Sequence, residues 1–288
     1  MPEGHSVHRL ARALHRSFAG EPVAASSPQG RFDAGARLID GRVLERADAW
    51  GKHLFLVIAG DLVVHVHLGL YGDFLRARTP APAPVGAVRL RLVGERWYAD
   101  LRGPTACDVL DPAGRDAILA RLGPDPLRRD ADPELFRRRV GASRSAIAGL
   151  LMDQAVLAGV GNIYRAELLH RHEVSPFTAG RDLPGDLVDA MWRDLVVLMK
   201  DGVRRGRIVT VTGDDVAALA ALDVDRPSSD DPSLDGGEDT PARRRARRST
   251  GVHVYRRDGR ACLRCGSAVR AEDFQGRRLY WCPGCQVR

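Results

Sequence analysis

The hydrophobic pattern at the start of the chain predicts a helix. Apolar residues recur there every three or four positions, which places them on one face of a helix. The positions concerned are Val7, Leu10, Ala11, Leu14 and Phe18. This helix would begin only a few residues after the chain terminus.

Alternating patterns follow this helix and predict strands. Residues 88–92 read Val-Arg-Leu-Arg-Leu, so apolar and basic side chains would face opposite sides of a strand. Residues 63–68 alternate in a similar way. Further runs of this kind, broken by Gly and Pro, continue to about Asp108. We therefore predict a β-sandwich or a barrel in this part of the chain.

The pattern becomes helical after a turn-rich junction, Gly-Pro-Asp-Pro, at residues 123–126. The apolar spacing predicts a helix through Ile147, Leu150, Leu151 and Gln154, another through Ile163, Ala166, Glu167 and His170, and a third over residues 187–199. These helices indicate an all-α second domain. The chain as a whole is predicted to be an α+β multidomain protein.

Composition narrows the class of protein. The chain has 288 residues, 44% of them hydrophobic, and a formal net charge of +7, which favours polyanionic partners. Apolar runs such as residues 54–59 are too short to cross a bilayer. The first five residues lack the basic and apolar segments of a secretory signal. We expect a cytoplasmic protein with no membrane partner.

Four cysteines near the C-terminus predict a metal site. Two Cys-x2-Cys pairs are separated by 16 residues, at Cys262 and Cys265 and at Cys282 and Cys285. Four thiolates at this spacing surround Zn²⁺ tetrahedrally and leave no open position for chemistry. We therefore predict one structural zinc ion.

The residues between the two cysteine pairs predict a hairpin. Apolar residues flank Gln275-Gly276, and the tip would carry Arg277 and Arg278. The ribbon has either a structural role alone, with solvated arginines, or a binding role, with an arginine that contacts a phosphate. A guanidinium group can donate two parallel hydrogen bonds to phosphate oxygens. We favour the second interpretation.

Residues 225–250 predict a mobile linker. They are rich in Pro, Ser, Asp and Gly and end in a run of arginines at 243–248, and such a stretch cannot bury enough apolar surface to stay ordered. The arginines would be either a solvated tail or an additional nonspecific contact to a polyanion, and the sequence favours neither. The predicted segments are a β-sandwich domain over 1–122, a helical domain over 123–224, the linker over 225–250 and a zinc finger over 251–288.

Three further features have two interpretations each. The Gly-Val-Gly-Asn sequence at 159–162, with Asn162 as the N-cap, is either a tight turn or an anion site at a helix N-terminus. His65 and His67 share one face of a strand, but no third metal ligand is evident, so we expect histidines of a core or groove. Cys107 is either a small buried apolar residue or a redox or metal residue, and we expect the first.

Four motifs resemble one family of DNA repair enzymes. The segments are Pro-Glu-Gly-His at 2–5, Gly-Lys at 51–52, the turn over 154–164 and Tyr-Trp-Cys-Pro-Gly-Cys-Gln at 280–286. In this order they are similar to the formamidopyrimidine-DNA glycosylase and endonuclease VIII family. The Leu-Tyr-Gly sequence at 70–72 and the zinc finger ending resemble the endonuclease VIII branch, above all its actinobacterial members.

The resemblance implies a fold and an activity. The fold would be an N-terminal β-sandwich with flanking helices, followed by a helix-two-turns-helix domain and the zinc finger. The activity would be that of a bifunctional DNA glycosylase and AP lyase of base excision repair, acting as a monomer on double-stranded DNA that contains oxidised bases or abasic sites.

The resemblance also implies the catalytic residues. The amine of Pro2, exposed by removal of Met1, would attack C1′ of the damaged nucleotide, since an α-amine with a pKa of about 8 is partly neutral at physiological pH. Glu3 would protonate the opening sugar ring. Lys52 would act as a general acid and base and contact phosphate. Without the resemblance, Glu3 and Lys52 are equally well surface residues.

Other residues are implied to bind DNA. Arg277 would bind a phosphate and assist δ-elimination. Arg278 is the second candidate for this role. Asn162 and Arg121 would contact the DNA backbone. Leu70 and Tyr71 would form a wedge that fills the gap left by the flipped nucleotide. The alternative for the last pair is an ordinary hydrophobic strand end.

Gly69 departs from the endonuclease VIII pattern, which has Gln before Leu-Tyr. The polar contact of the wedge and the preference for the opposite base therefore do not carry over. We expect excision of oxidised pyrimidines with β,δ-elimination. The alternatives are an oxidised-purine glycosylase and a noncatalytic zinc-ribbon protein that binds damaged DNA.

Overall fold

The computed structural model describes residues 2–211 and 251–287. These residues form two compact units. The N-terminal unit runs to Phe136 and includes residues 153–160 and 202–207, and the C-terminal unit contains the other described residues. The predicted linker over 225–250 lies outside the described residues, and the domain boundary at 122–123 stays a prediction.

The N-terminal unit is built from two antiparallel sheets with helices around them. One sheet has the strand order β1-β3-β4-β5-β9 and the other β2-β7-β8-β6. The elements are α1 Gly4–Phe18, β1 Glu21–Pro22, β2 Ala24–Ser26, α2 Asp33–Ile39, β3 Val43–Trp50, β4 His53–Ile58, β5 Leu62–His67, β6 Asp73–Arg78, β7 Val88–Val93, β8 Trp97–Arg102, β9 Ala106–Leu110 and α3 Pro112–Leu119. The predicted β-sandwich is confirmed.

The core of this unit lies between the sheets and under α1. Val7, Leu14 and Phe18 of the predicted helical stripe are at most 1% exposed, and they belong to the same apolar cluster as residues of both sheets. Burial of each such side chain contributes about 2 kcal/mol. The core therefore fixes α1, and with it the first residues of the chain, to the sandwich.

The C-terminal unit is mainly helical and ends in a small hairpin. Its elements are α4 Pro133–Gly141, which begins in the N-terminal unit, α5 Ile147–Leu150, α6 Asn162–Arg171, a 3-10 turn at Gly180–Asp182, α7 Gly185–Arg205, which ends in the N-terminal unit, β10 Arg270–Phe274 and β11 Arg277–Trp281. No helix of the described residues is long and apolar enough to span a membrane.

The predicted helix through Ile147 and Gln154 is wrong beyond its first turn. α5 ends at Leu150, because Asp153 starts a new turn with its own side chain. Its carboxylate accepts a hydrogen bond from Ala155 N at 2.8 Å. A short acidic side chain that binds the backbone in this way competes with the helix.

The predicted hairpin of the C-terminal ribbon is confirmed. Phe274 pairs with Arg277 across a two-residue turn, and both turn residues, Gln275 and Gly276, have positive φ angles of 50° and 71°. Two such residues form the turn that matches the twist of a hairpin. Arg277 therefore stands directly beside the tip.

Candidate functional site

The first residues of the chain lead into α1. Pro2 is half-buried, whereas Glu3 is 0% exposed. The Glu3 carbonyl accepts hydrogen bonds from Ser6 N at 2.9 Å and from Ser6 Oγ at 2.7 Å, which anchors this residue at the helix start. Glu3 is therefore not a surface carboxylate.

Gly159 brings this segment close to the turn that carries Lys52. Gly4 N donates to Gly159 O at 2.8 Å. Gly51 has a φ of +58°, and a Cβ there would lie 3.0 Å from Gly159 N. Gly51 and Lys52 form a two-residue turn between the paired Trp50 and His53, hereafter the lysine turn. One loop residue thus touches both Gly4, which directly follows Glu3, and the lysine turn.

The side chain of Gln154 holds this loop in place. Gly159 N donates to its Oε1 at 3.0 Å, and its Nε2 donates to Val160 O at 3.0 Å. A single amide therefore satisfies two backbone groups that have no strand or helix partner. Gly51 and Gly159 both have positive φ angles, of 58° and 91°, so both positions favour glycine.

Asp125 is a fully buried carboxylate that joins three segments of the N-terminal unit. Its Oδ2 accepts from His8 Nε2 of α1 and from Gly51 N, each at 2.7 Å. Its Oδ1 accepts from Leu127 N at 2.9 Å. Sequence analysis identified only a turn at this position, because nothing in a Gly-Pro-Asp-Pro sequence shows that the carboxylate is buried. Asp125 fixes α1 and the lysine turn to each other.

Lys52 and Arg121 lie near a group of three histidines on β4 and β5. Burial, then His65, His67, Arg121 and Lys52, lower the pKa of His53 to about 3. Burial also lowers the pKa of His65 and of His67. These imidazoles are therefore neutral at pH 7. Within the described residues, the four cysteines are the one cluster of metal-ligand type, so the histidines form no such cluster.

The predicted wedge residues stand in the turn between β5 and β6. Leu70 is 46% exposed and Tyr71 is 88% exposed, so they are not a buried strand end. Gly69 before them has a φ of +65°, and a Cβ there would lie 2.4 Å from Thr105 Cγ2. Thr105 fills the space that a side chain at 69 would need. This packing and the positive φ favour glycine at position 69.

In the C-terminal unit, Asn162 is the first residue of α6 and not its N-cap. Gly161 occupies the cap position, with no side-chain capping bond. Asn162 Nδ2 donates to Arg278 O at 2.8 Å, and the buried Arg165 donates to the Asn162 amide oxygen. The predicted N-cap is wrong because this side chain holds the ribbon strand β11 instead.

The two candidate arginines of the ribbon differ in how they are held. The carbonyl of Arg278 accepts the bond from Asn162, and its guanidinium lies 4.0 Å from Asp273. Arg277 is exposed beside the hairpin tip. The structure places Arg277 and Asn162 in the C-terminal unit, and Pro2, Glu3, Lys52, Leu70, Tyr71 and Arg121 in the N-terminal unit.

The four predicted metal ligands lie together. The ligand atoms of Cys262, Cys265, Cys282 and Cys285 are within 4.8 Å of one another, and two Sγ pairs are 3.8 Å and 3.4 Å apart. Tetrahedral Zn–S bonds of about 2.3 Å require sulfur separations of about 3.8 Å. The donor set and its spacing fit a closed metal site. Cys107 stands apart, and burial raises its pKa to about 12, as expected for an apolar core residue.

Glu167 is a second buried carboxylate with a role that sequence analysis missed. It accepts hydrogen bonds from the backbone N–H groups of His253, Val254 and Tyr255 at 2.7 to 2.9 Å, and from the Thr210 hydroxyl. It therefore joins α6 to the segment before the ribbon. Its place on the apolar face of a predicted helix was the available signal, since a carboxylate buried there needs donors.

Comparison with known proteins agrees with this architecture. Residues 1–107 match the formamidopyrimidine-DNA glycosylase N-terminal domain, and residues 122–213 match the formamidopyrimidine-DNA glycosylase H2TH domain. The protein "Endonuclease 8 1" of Mycobacterium tuberculosis is 48% identical over 291 residues, with 100% of both chains covered. The chain belongs to the formamidopyrimidine-DNA glycosylase and endonuclease VIII family. The expected enzyme class, a DNA glycosylase with AP lyase activity in base excision repair, is confirmed by this membership.

More distant relatives show how far the likeness extends. "Probable endonuclease 8 2" of Streptomyces coelicolor is 32% identical, with 100% of this chain and 94% of that protein covered. The crystal structure of the Lactococcus lactis formamidopyrimidine-DNA glycosylase, bound noncovalently to DNA with an AP site, has a TM-score of 0.75 at 19% identity, covering 99% of this chain and 100% of that chain. The latter supports the fold, and the former supports the predicted similarity to actinobacterial endonuclease VIII.

Proposed function

We propose that this glycosylase uses the amine of Pro2 as its nucleophile. After removal of Met1, the secondary amine attacks C1′ of the damaged nucleotide, the C1′–base bond breaks and the amine loses its proton. The C1′–O4′ bond then breaks with a proton delivered to O4′, which opens the sugar and leaves a cationic iminium between Pro2 and C1′. The iminium withdraws electrons and acidifies the adjacent sugar hydrogen. Loss of that proton expels the 3′ phosphate, and a second elimination expels the 5′ phosphate, which gives β,δ-elimination.

One observation carries this proposal. Gly159 accepts a hydrogen bond from Gly4, the residue that follows Glu3, and lies against Gly51 of the lysine turn. Acid–base catalysis requires groups held within reach of the reacting atoms. A buried Glu3 beside the nucleophile is suited to protonate the opening sugar, and Lys52 is suited to move protons during base release and elimination.

The C-terminal unit would contribute phosphate contacts. Arg277 at the ribbon tip is proposed to hold a phosphate beside the lesion and assist δ-elimination, and Asn162 to contact the DNA backbone. Arg121 of the N-terminal unit is proposed to contact the DNA backbone as well. The four cysteines would hold one zinc ion, which when bound folds the ribbon and takes no part in the reaction. The +7 charge supports binding to duplex DNA. We propose a monomeric enzyme that acts on DNA in the cytoplasm.

Oxidised pyrimidines are the proposed substrate class. The exposed Leu70 and Tyr71 are suited to fill a duplex gap with an apolar side chain and a stacking ring. The 48% identical relative carries an endonuclease VIII name. The alternative, an oxidised-purine glycosylase, shares every catalytic residue and differs only in which base is released.

Borohydride trapping on abasic-site DNA tests the nucleophile. The wild-type enzyme should form a stable crosslink because borohydride reduces the iminium, and Pro2→Gly or an enzyme that retains Met1 should form none. Pro22→Gly, at an exposed proline of the edge strand β1, is the matched control and should trap like the wild type. Binding without trapping in the wild type would instead favour the noncatalytic zinc-ribbon protein.

Base release tests the substrate class and the role of Glu3. Matched duplexes that contain thymine glycol or 8-oxoguanine should show faster release of thymine glycol. Glu3→Gln should lose base release and keep trapping on preformed abasic sites, since those sites no longer need the base expelled. Dominant release of 8-oxoguanine would contradict the pyrimidine preference.

A further inference from the structure

Three neighbouring strands of the five-stranded sheet have their termini at the same end of the sheet. His53 begins β4, His67 ends β5 and Ala106 begins β9, and in the register His53 pairs with His67, which pairs with Ala106. The lysine turn therefore leaves the sheet one residue before His53. The turn at residues 69–72, hereafter the wedge loop, begins two residues after His67.

Imidazole side chains connect these strands across the same face. His53 Nδ1 and His65 Nε2 are 2.9 Å apart and share a hydrogen bond. The ring centroid of His53 lies 5.1 Å from that of His65 and 5.1 Å from that of His67. Phe55 extends the stack, with its centroid 5.3 Å from His65. We call His53, His65 and His67 the histidine ladder.

Thr105 lies between the backbone and the imidazole of His67, at the end of the histidine ladder. Its hydroxyl donates to His67 O at 3.0 Å, and its Oγ1 lies 2.8 Å from His67 Nδ1. A hydroxyl has one hydrogen. Both contacts are satisfied together when that hydrogen goes to the carbonyl: Oγ1 then accepts from Nδ1–H, and Nε2 of the neutral His67 carries the lone pair.

The other end of Thr105 faces the wedge loop. Its methyl group occupies the space beside Gly69, at 2.4 Å from where a Cβ would stand. Thr105 N also donates to His67 O at 2.9 Å. One small side chain therefore contacts both the ladder and the residue before Leu70.

The charges around the histidine ladder favour neutral polar side chains at this end of the sheet. Lys52 in the lysine turn and Arg121 act on the ladder as cations, and Asp108 of β9, which pairs with His65, acts as an anion. A lysine or arginine in place of the histidines would repel Lys52. Stacked neutral imidazoles bond across strands without adding charge.

We propose that Thr105, His53 and His65 are positioning residues that hold His67 in one tautomer and keep the lysine turn and the wedge loop together at this end of the sheet. The inference rests on the proposed function of Lys52, Leu70 and Tyr71. A catalytic group displaced by a fraction of an ångström loses much of its rate while the affinity for DNA persists. The ladder therefore acts on the rate at saturation more than on binding.

A threonine exchange tests this inference with little risk to folding, since Thr105 is exposed. Thr105→Val keeps the shape and removes the hydroxyl, and Thr105→Ser keeps the hydroxyl. Under single-turnover conditions with saturating lesion DNA, Thr105→Val should be about tenfold slower with the Kd within about twofold of wild type. Thr105→Ser should recover most of the rate.

The matched control is Thr79→Val, which removes a similar hydroxyl bond, to Glu95 O at 2.8 Å, from another loop. It should keep the wild-type rate. Nitrogen NMR of the imidazole rings should show His67 protonated on Nδ1 in the wild type and not fixed there in Thr105→Val. This readout does not depend on catalysis.

Two results would overturn the inference. One is a Thr105→Val enzyme at the wild-type rate, or a Thr105→Ser enzyme as slow as Thr105→Val. The other is a wild-type His67 protonated on Nε2 alone. Failure of the proposed function looks different, because the wild-type enzyme would then give no borohydride crosslink whatever the state of His67.

Discussion

The four-cysteine ribbon and the proposed Pro2-Glu3-Lys52 site are held together in different ways. The ribbon draws its four ligands from residues 262–285, and its hairpin closes through two residues of positive φ. The N-terminal site is assembled from residues near 2, 52, 125 and 159 through backbone hydrogen bonds and one buried carboxylate. Residues close together in the sequence therefore hold the ribbon, whereas contacts between distant segments hold the N-terminal site.

Because of this difference, substitutions in the two regions should change different properties of the protein. Loss of one of the four cysteines would remove the proposed metal ion that folds a small segment, while the sandwich keeps its own core. Loss of a long-range contact leaves every secondary structure element in place and moves catalytic groups by small distances. The two regions should therefore fail with different signatures.

The largest effect is expected from Cys282→Ser or from chelation of the metal. A structural zinc site contributes about 10 kcal/mol or more to the folding of its module, so the ribbon should unfold and affinity for lesion DNA should fall by at least about 100-fold. Metal analysis and fluorescence anisotropy would measure both. Cys107→Ala, which removes a cysteine from the core of the sandwich, is the control and should retain the metal and bind DNA. A Cys282→Ser enzyme that binds and cleaves normally would refute the role of the ribbon.

A smaller effect is expected from Asp125→Ala. The change leaves His8 Nε2, Gly51 N and Leu127 N without their acceptor, and each unsatisfied buried donor costs about 1–3 kcal/mol. The free energy of unfolding should fall by about 3 kcal/mol, and the single-turnover rate of AP-site cleavage by about 100-fold because the lysine turn shifts. Chemical denaturation and gel assays measure the two quantities.

Asp130→Ala is the matched control for Asp125. Its carboxylate also binds a neighbouring group, Arg128, but at the surface, where an ion pair contributes about 0–1 kcal/mol. It should alter neither quantity strongly. Equal effects of the two substitutions would show that Asp125 does not position the site.

The smallest effect is expected in the pH dependence of stability. The pKa of His53 is lowered to about 3 and that of His5 to about 4, in both cases mainly by burial. Below about pH 6.5 the unfolded chain takes up protons that the folded chain refuses, so the free energy of unfolding should fall as the pH falls from about 6.5 toward 4.

His53→Gln should flatten this slope by up to one proton, because it removes one such group. Urea denaturation at pH 7.5, 6 and 5 provides the measurement. His15→Gln, at an exposed histidine of α1, is the matched control. An unchanged slope in His53→Gln would contradict burial of this imidazole in the neutral form.

Periodicity and spacing predicted the elements that depend on local patterns. The stripe from Val7 to Phe18 became α1, and the residues around Gln275-Gly276 became the hairpin. The predicted helix end and the predicted N-cap were wrong where a polar side chain could bind either of two backbone groups. Asp153 ended α5 early, and Asn162 bound Arg278 O instead of capping α6.

The candidate site shows the same division. The sequence, with the family it resembles, determined the residue types for the amine chemistry, the four thiolates and the exposed Leu-Tyr pair, because these are properties of short segments. Only the tertiary structure decided that Glu3 and Asp125 are buried, that Gly159 lies against both Gly4 and the lysine turn, and that Thr105 occupies the space beside Gly69. Those facts depend on which distant segments pack together, and local periodicity does not encode that packing.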